Sequence, residues 1–372
     1  MRVTVERAAL VKALGHVHRV HERRTPIPIM SNVLLRSDAG GLKLKATDLD
    51  LEVIETAPAE VSQPGATTVP AHTLHDIVRK LPDGAQVSLE TSGDSGSMLL
   101  RSGRSRFTLQ ALPESDFPDI AAGDMSHRFS IDAAALRRLI GKSQFAISQE
   151  ETRYYLNGIF AHTIEAQGET VLRMVATDGH RLARVEAPAP AGSHGMPGVI
   201  IPRKAVNEIQ KLIETHDGEA QVELSATKIR VTVGPTVLTS KLIDGTFPDY
   251  QRVIPTGNDK RLVVDRDAFS AAVDRVSTIS SERGRAVKLS VADGRITLSV
   301  TNPDSGSATE EVEADYDASP LDIGFNARYL LDITAELDGD TTLFKLAEPG
   351  SPTIIQDREN APALYVLMPM RV

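Results

Sequence analysis

Apolar residues along the chain alternate with period two and then recur at helical spacing, and this change of period happens three times in the same order. It occurs at VTVERAALVKAL from Val3, at FSIDAAALRRLI from Phe129 and at LVVDRDAFSAAV from Leu262. Each alternating run meets an acid where the helix begins, at Glu6, Asp132 and Asp265. A carboxylate there accepts from free backbone N–H groups and favours the positive end of the helix dipole. A second helical pattern follows in each copy: VPAHTLHDIVRKL from Val69, IPRKAVNEIQKLI from Ile201 and FNARYLLDITAEL from Phe325. Pro70 and Pro202 suit the first turn of a helix, and Asp83-Gly84, Asp217-Gly218 and Asp338-Gly339 lie near the three ends.

Between the helices, runs such as LKLKATDLDLEV, VSLE, MLLRS and RFTLQAL alternate as half-buried strands do, with turns at Thr47-Asp48, Thr177-Asp178 and Thr301-Asn302. The first two copies close on Phe-Pro-Asp, at Phe117 and Phe247, and the third on Val-Leu-Met-Pro-Met-Arg-Val. Each unit therefore reads as two helices packed on antiparallel sheet, an α+β domain present in three tandem copies. The expected boundaries are 1–125, 126–254 and 255–372. The Ala/Pro/Gly stretch from Pro188 to Pro197 falls inside the second unit and reads as a loop.

A length of 372 residues agrees with this count, since domains run to roughly 100–200 residues. Hydrophobic residues make up 41% and charged residues 24%, a balance suited to ordinary packed cores. With no cysteine, disulfides, thiolate metal sites and thiol nucleophiles are excluded. MRVTVERAAL carries no apolar signal core and no membrane-length apolar run occurs, so a cytoplasmic protein without membrane contact is expected. A net charge of −9 argues against nucleic-acid binding, unless the positive charge is concentrated on one surface.

It is concentrated on the helices. Leu10, Leu14 and Val17, then Leu136, Leu139 and Ile140, then Phe269, Val273 and Val276 form the apolar stripes. Off those stripes sit Lys12 and Arg19, Arg137, Arg138 and Lys142, and Arg275; the second helices add Arg79 and Lys80, Arg203, Lys204 and Lys211, and Arg328. On any single helix such cations are a solvated face. Three equivalent helices joined end to end would instead make one basic surface. The third unit contributes least, because Asp267, Asp274, Asp332 and Glu336 offset its cations.

Eight blocks in order carry a family resemblance: QPGATTVPA from Gln63, RSGRSRF from Arg101, RYYLNG from Arg153, ATDGHRLA from Ala176, IPRK from Ile201, TSKLIDGTFPDY from Thr239, GFNARYLLD from Gly324 and YVLMPMRV from Tyr365. Along essentially its whole length the chain resembles the beta-subunit family of bacterial DNA polymerase III. The resemblance implies the DNA clamp fold, in which two protomers close head to tail into a six-domain ring with helices lining the pore. Twelve helices at about 10 Å each give an inner circumference of ~120 Å and a bore of roughly 35–40 Å, wide enough for duplex DNA. Such a ring holds phosphates without reading bases. The implied partners are double-stranded DNA of any sequence, the replicative DNA polymerase, the clamp loader, other clamp-binding repair and translesion proteins, and a second copy of the chain.

Carried over by position, one side of the dimer contact is Arg104, Arg106, Phe107 and Leu109, and the other Thr278, Ile279, Glu310 and Glu311. Opposite charges there suit charge-steered closure. DNA contacts fall on Arg24, Gln149, Glu150, Tyr154, Tyr155, Arg203 and Lys204, beside the helix cations Arg79, Arg137, Arg138 and Lys142. The paired tyrosines suit stacking on a single-stranded base. A partner peptide is expected in an apolar cleft between the second and third domains. Its positions are Leu156, Thr177, Gly179, His180, Arg181, Leu182, Pro248, Arg252, Val253, Asn326, Tyr329, Val366, Met368, Pro369, Met370 and Arg371. Met and Leu adapt to varied apolar side chains, while Arg and Asn bond an extended backbone. Glu150 stands where the family often has glutamine, His72 where it often has arginine, and Pro352 where it commonly has serine.

Other motifs carry less. Gly93-Asp94-Ser95-Gly96 copies a serine-protease signature inside a turn-rich tip and reads as turn chemistry. His16, His18 and His21 put at most one pair on a common helix face and read as a solvated cluster, not a metal site. Asp178 and His180 form the starting point for a hydrolase reading, but the cleft accounts for more of their neighbours. No Walker loop, dinucleotide fingerprint or zinc spacing occurs, so no catalysis, cofactor or metal is expected.

Overall fold

The computed structural model describes residues 1–20, 27–91, 96–120, 123–166, 168–280 and 285–372. Six α-helices occur among them: α1 (Arg7–Val17), α2 (Ala71–Val78), α3 (Ala133–Gln144), α4 (Arg203–Ile213), α5 (Arg266–Ser277) and α6 (Ala327–Ala335). The acids at the odd-numbered starts act as caps. Glu6 accepts from the N–H groups of Ala8 and Ala9, Asp132 from Ala135 at 3.0 Å, and Asp265 from Ala268 at 2.7 Å. Asn326 does the same for α6. All nine stripe residues from Leu10 to Val276 are buried, which fixes the inward face of each helix.

The Asp-Gly turns close each repeat. Arg7 N–H donates to Ala85 O (2.9 Å), Ala133 N–H to Gly218 O (2.9 Å) and Arg266 N–H to Asp340 O (2.8 Å). The end of each even-numbered helix is thus tied to the start of its odd-numbered partner by one backbone bond in the same place.

The strands form antiparallel sheets that cross the repeat boundaries. One compact unit comprises residues 1–136 and 207–242, the other residues 137–206 and 243–372. The first unit holds a five-stranded sheet, with Glu60–Gln63 at one end and Ser105–Gln110 at the other. It also holds an eight-stranded sheet in which Leu51–Ala57 of the first repeat pairs with Thr236–Lys241 of the second. The second unit is built on a twelve-stranded sheet, where Arg181–Pro188 of the second repeat pairs with Ala363–Leu367 of the third. The compact units follow these shared sheets, so each divides the central repeat.

His16 and His18 go to separate partners; His21 lies outside the described residues. His16 Nδ1 meets Glu55 Oε2 at 2.9 Å, while His18 Nδ1 donates to Leu14 O at 2.6 Å. The His75 ring stacks on His18 at 4.0 Å and 7°, and His72 meets it edge-on at 5.4 Å. His18 is therefore half-buried between α1 and α2, where a solvated cluster was expected. Among the described residues no group of three His, Cys, Asp or Glu is placed to hold a metal ion.

Burial, and then the neighbouring His75 and His72 charges, outweigh the Leu14 bond and bring the His18 pKa from 6.5 down to about 4. The unfolded chain therefore takes up this proton first as acid is added. Stability from neutral His18 is complete above 6.5 and is lost as the pH falls towards about 4. The thermal midpoint should fall across that window, and His18→Gln should flatten part of the slope; an unchanged slope in the variant refutes this assignment.

Candidate functional site

In the second unit, the turn joining Glu169–Thr177 to Arg181–Pro188 is held by its own side chains. Thr177 Oγ1 donates to Arg181 O (2.7 Å) and accepts from Gly179 N–H (3.1 Å). Asp178 Oδ1 accepts from the N–H groups of His180 (2.9 Å) and Arg181 (3.0 Å). Gly179 has φ +88°, a conformation that a side chain disfavours. The C-terminal segment docks beside this turn, with Met368 N–H donating to His180 O at 2.9 Å and Met370 N–H to Gly324 O at 2.7 Å.

Arg181 binds these parts together. Its Nε donates to Asp178 Oδ2 (3.1 Å), one terminal nitrogen to Asp332 Oδ2 (2.5 Å) and the other to Phe145 O (2.9 Å). Its guanidinium carbon lies 4.2 Å from the centre of the Tyr329 ring and 5.0 Å from that of Phe145. Burial, and secondarily Asp178, raise the Tyr329 pKa, so its hydroxyl stays protonated. Asp178 is thus spent on backbone and arginine, and the carboxylate–imidazole pair of a hydrolase is not formed with His180.

Leu156, Leu182 and Val366 belong to one buried cluster with Val175, Ile200, Phe247, Tyr250, Ile354 and Leu364. Apolar surface beside it remains open to solvent: Val253 is 44% exposed and Met368 37%. Pro248, Gly179, His180, Arg252 and Arg371 are exposed, and Thr177, Arg181, Asn326, Tyr329, Pro369 and Met370 are half-buried. Arg252 pairs with Asp249 at 2.8 Å. Asn326 Oδ1 is occupied in capping α6. Sequence reasoning did not assign Phe145, Gly324 or Asp332 to the site, although Gly324 and Asp332 begin and end the GFNARYLLD block; they support it through contacts far along the chain. Their spacing carries no local signal; Arg181 and Asp332 are 151 residues apart.

The first unit repeats this scaffold with different side chains. Thr47 and Asp48 make the same bonds around Leu49, Asp50 and Leu51, and Lys241 N–H donates to Asp50 O at 2.8 Å. By register, Lys45 and Glu52 occupy the places of Val175 and Leu182. Lys45 Nζ lies 2.9 Å from Glu52 Oε2 and also bonds Asp119. An ion pair thus fills the first junction where the second has apolar contact.

The helix cations are largely engaged within the chain. Arg79 pairs with Asp76 at 2.9 Å and Arg138 with Asp338 at 3.2 Å; Arg137 and Lys204 also have partners. Lys142 departs from expectation: it is 8% exposed, pairs with Asp338 at 2.8 Å and donates to Glu336 O, so it does not belong to an open basic face. Arg203 is half-buried at the start of α4, with its N–H on Asn157 O at 3.0 Å. Gln149 and Glu150 are exposed, but Glu150 pairs with Arg153 at 2.7 Å. Tyr154 is 54% exposed, whereas Tyr155 packs against the buried cluster, so one ring of the pair is free to stack. Arg24 lies outside the described residues, as do Gly93, Asp94 and Ser95 of the protease-like motif.

Among the described residues, Ser105–Gln110 and Gly306–Asp315 are two of the strands that keep an unpaired edge, besides other sheet-end strands such as Glu60–Gln63, His127–Asp132 and Val199–Pro202. Ser105–Gln110 ends its sheet, with Arg106 exposed beside exposed Arg104, Phe107 half-buried and Leu109 buried. Gly306–Asp315 pairs along one side with Arg295–Asn302, but on the other only Ala314 and Asp315 find partners. Thr278 caps the end of α5, followed by half-buried Ile279. Glu310 is bound by Arg275 at 2.5 and 3.0 Å, and Glu311 is exposed.

Comparison with known proteins agrees over the whole length. The N-terminal, central and C-terminal domains of the DNA polymerase III beta subunit match residues 1–121, 130–249 and 251–371 respectively. A beta sliding clamp of Caulobacter vibrioides (strain NA1000 / CB15N) is 54% identical over 372 residues, covering 100% of both chains. That of Escherichia coli (strain K12) is 39% identical over 375 residues, again with 100% of both covered. The crystal structure of a sliding clamp from Bartonella birtlesii bound to griselimycin superposes with a TM-score of 0.97 at 56% identity, covering 100% of each chain. The chain therefore belongs to the DNA polymerase III beta-subunit family, the sliding clamps, which tether the polymerase, confer processivity and catalyse no reaction themselves.

Proposed function

We propose that two copies of this chain, each with domains at 1–125, 126–254 and 255–372, close head to tail around duplex DNA. The observation that carries this reading is an unfinished pattern of strand pairing. Leu51–Ala57 pairs with Thr236–Lys241, and Arg181–Pro188 with Ala363–Leu367, each time joining one repeat to the next. The third strand of the first kind is Gly306–Asp315 and the third of the second kind is Ser105–Gln110, and among these six strands they are the two left without such a partner. Two copies joined edge to edge complete the series and leave no open edge of this type, as a closing heterologous contact requires. Arg104 and Arg106 then face Glu310 and Glu311, with Arg275 competing for Glu310.

Inside such a ring, Arg79, Arg137, Arg138, Arg203 and Lys204 screen phosphates without reading sequence, and Gln149, Glu150 and exposed Tyr154 meet the DNA beside them. The ring is held by topology and not by affinity, which suits a chain of net charge −9. The cleft around Arg181, Val253 and Met368 takes an extended peptide from the replicative polymerase, the clamp loader, or repair and translesion proteins. Among the described residues no helix is long and apolar enough to cross a membrane, and a factor acting on the bacterial chromosome works in the cytoplasm.

Two outcomes test these statements. The native mass should be that of two chains, and protein loaded on nicked circular DNA should stay bound until the circle is cut. Equal loss from circular and linear DNA, or a mass of one chain, rules out encirclement.

The cleft has its own test at Gly324, where an added Cβ would lie 2.6 Å from Met370 O and against Val372. Gly324→Ala should displace the tail carrying Met368 and Met370 and weaken a partner peptide by roughly tenfold or more, about 1.4 kcal/mol, while retention on circles persists. Unchanged peptide affinity contradicts the assigned cleft.

A further inference from the structure

Away from the cleft, the second unit holds an arginine with one donor, Nε, that the chain leaves without a hydrogen bond. Arg173 stands opposite Glu186 in the pairing of Glu169–Thr177 with Arg181–Pro188. Arg173 is 7% exposed; its Nε and one terminal nitrogen lie 2.8 and 2.5 Å from Glu186 Oε1. The charge of Glu186 is therefore balanced by Arg173. Arg184 approaches the same oxygen only at 3.4 Å, and its Nε is buried without a hydrogen bond. A guanidinium keeps its proton, and a buried N–H donor left without an acceptor is costly.

Arg184 lines a cavity of about 460 Å³ together with Glu169, Val171, Glu186, Asn360 and Pro362. Cavities of about 300–1,000 Å³ are the usual size for small-molecule sites. None of the lining residues belongs to the peptide cleft. Backbone on both sides is fixed: Glu186 N–H donates to Pro362 O at 2.9 Å, and Arg184 stands opposite Leu364. Arg184 is thus held at the cavity wall by strands that are themselves paired.

We propose that this cavity binds a small carboxylate, gripped by the planar fork of Arg184. A carboxylate presents two oxygens at the spacing of that fork and satisfies two donors at once. Glu169 on the same wall opposes a multiply charged oxyanion, so the site selects a monoanionic carboxylate over phosphate. The site does not depend on ring closure or on the partner cleft.

The test is a side-chain magnetic-resonance titration of the full-length protein with acetate and, separately, inorganic phosphate. Acetate should shift the Arg184 Nε–H and Asn360 amide signals saturably, and phosphate at equal concentration should shift them less. Arg184→Lys keeps the charge but loses the fork, and should weaken the acetate response of Asn360 roughly tenfold or more. Glu169→Gln, an exposed change outside the core, should narrow the gap between acetate and phosphate. No saturable shift in the unaltered protein, an equal response in Arg184→Lys, or phosphate binding better than acetate overturns the proposal.

Discussion

Backbone hydrogen bonding along strand edges is the constraint on which the rest of this protein depends. Every buried peptide group needs a partner, and an open strand edge is an invitation to pair. The chain meets this need across its repeat boundaries, with Leu51–Ala57 against Thr236–Lys241 and Arg181–Pro188 against Ala363–Leu367. The repeats are therefore welded through shared sheets, and the compact units divide the central repeat. The same requirement is left open at Ser105–Gln110 and along most of one side of Gly306–Asp315.

The two internal junctions show how one scaffold carries two chemistries. Thr47-Asp48 and Thr177-Asp178 build the same turn with the same bonds. At the first junction the Lys45–Glu52 pair seals the space beneath the turn, whereas at the second Val175 and Leu182 join an apolar cluster. Exposed Val253 and Met368 extend that second surface to solvent. A buried ion pair leaves little for an apolar side chain to gain, while adaptable methionine and aliphatic groups accommodate many. Substitutions inside a repeated frame thus give the two junctions different surfaces, one charged and one apolar.

Charge on the helices is more local than its pattern suggests. Arg79, Arg138 and Lys142 answer carboxylates of the same chain, and Lys142 turns inward altogether. Exposed ion pairs of this kind contribute little to stability and exchange readily for other partners. Arg79 and Arg138 thus remain able to exchange partners at the surface, which buried Lys142 is not.

The sequence by itself determined the periodic elements and their triplication, because helix caps, Asp-Gly turns and apolar stripes act over a few residues. Glu6, Asp132 and Asp265 were legible as caps for that reason, and the nine stripe residues as core. The family blocks pointed to Thr177, Arg181 and Met368 and contained Gly324 and Asp332, but not the pattern of contacts between them. That was decided by tertiary structure: Asp332, Phe145 and Gly324 reach the cleft across long stretches of chain, and the inward turn of Lys142 depends on Asp338 and the Glu336 carbonyl of a distant repeat. The stacking of His18 on His75 and the uneven burial of Tyr154 and Tyr155 are likewise products of packing. Local periodicity tells which face of an element is buried, but only the folded chain brings together the groups that meet there.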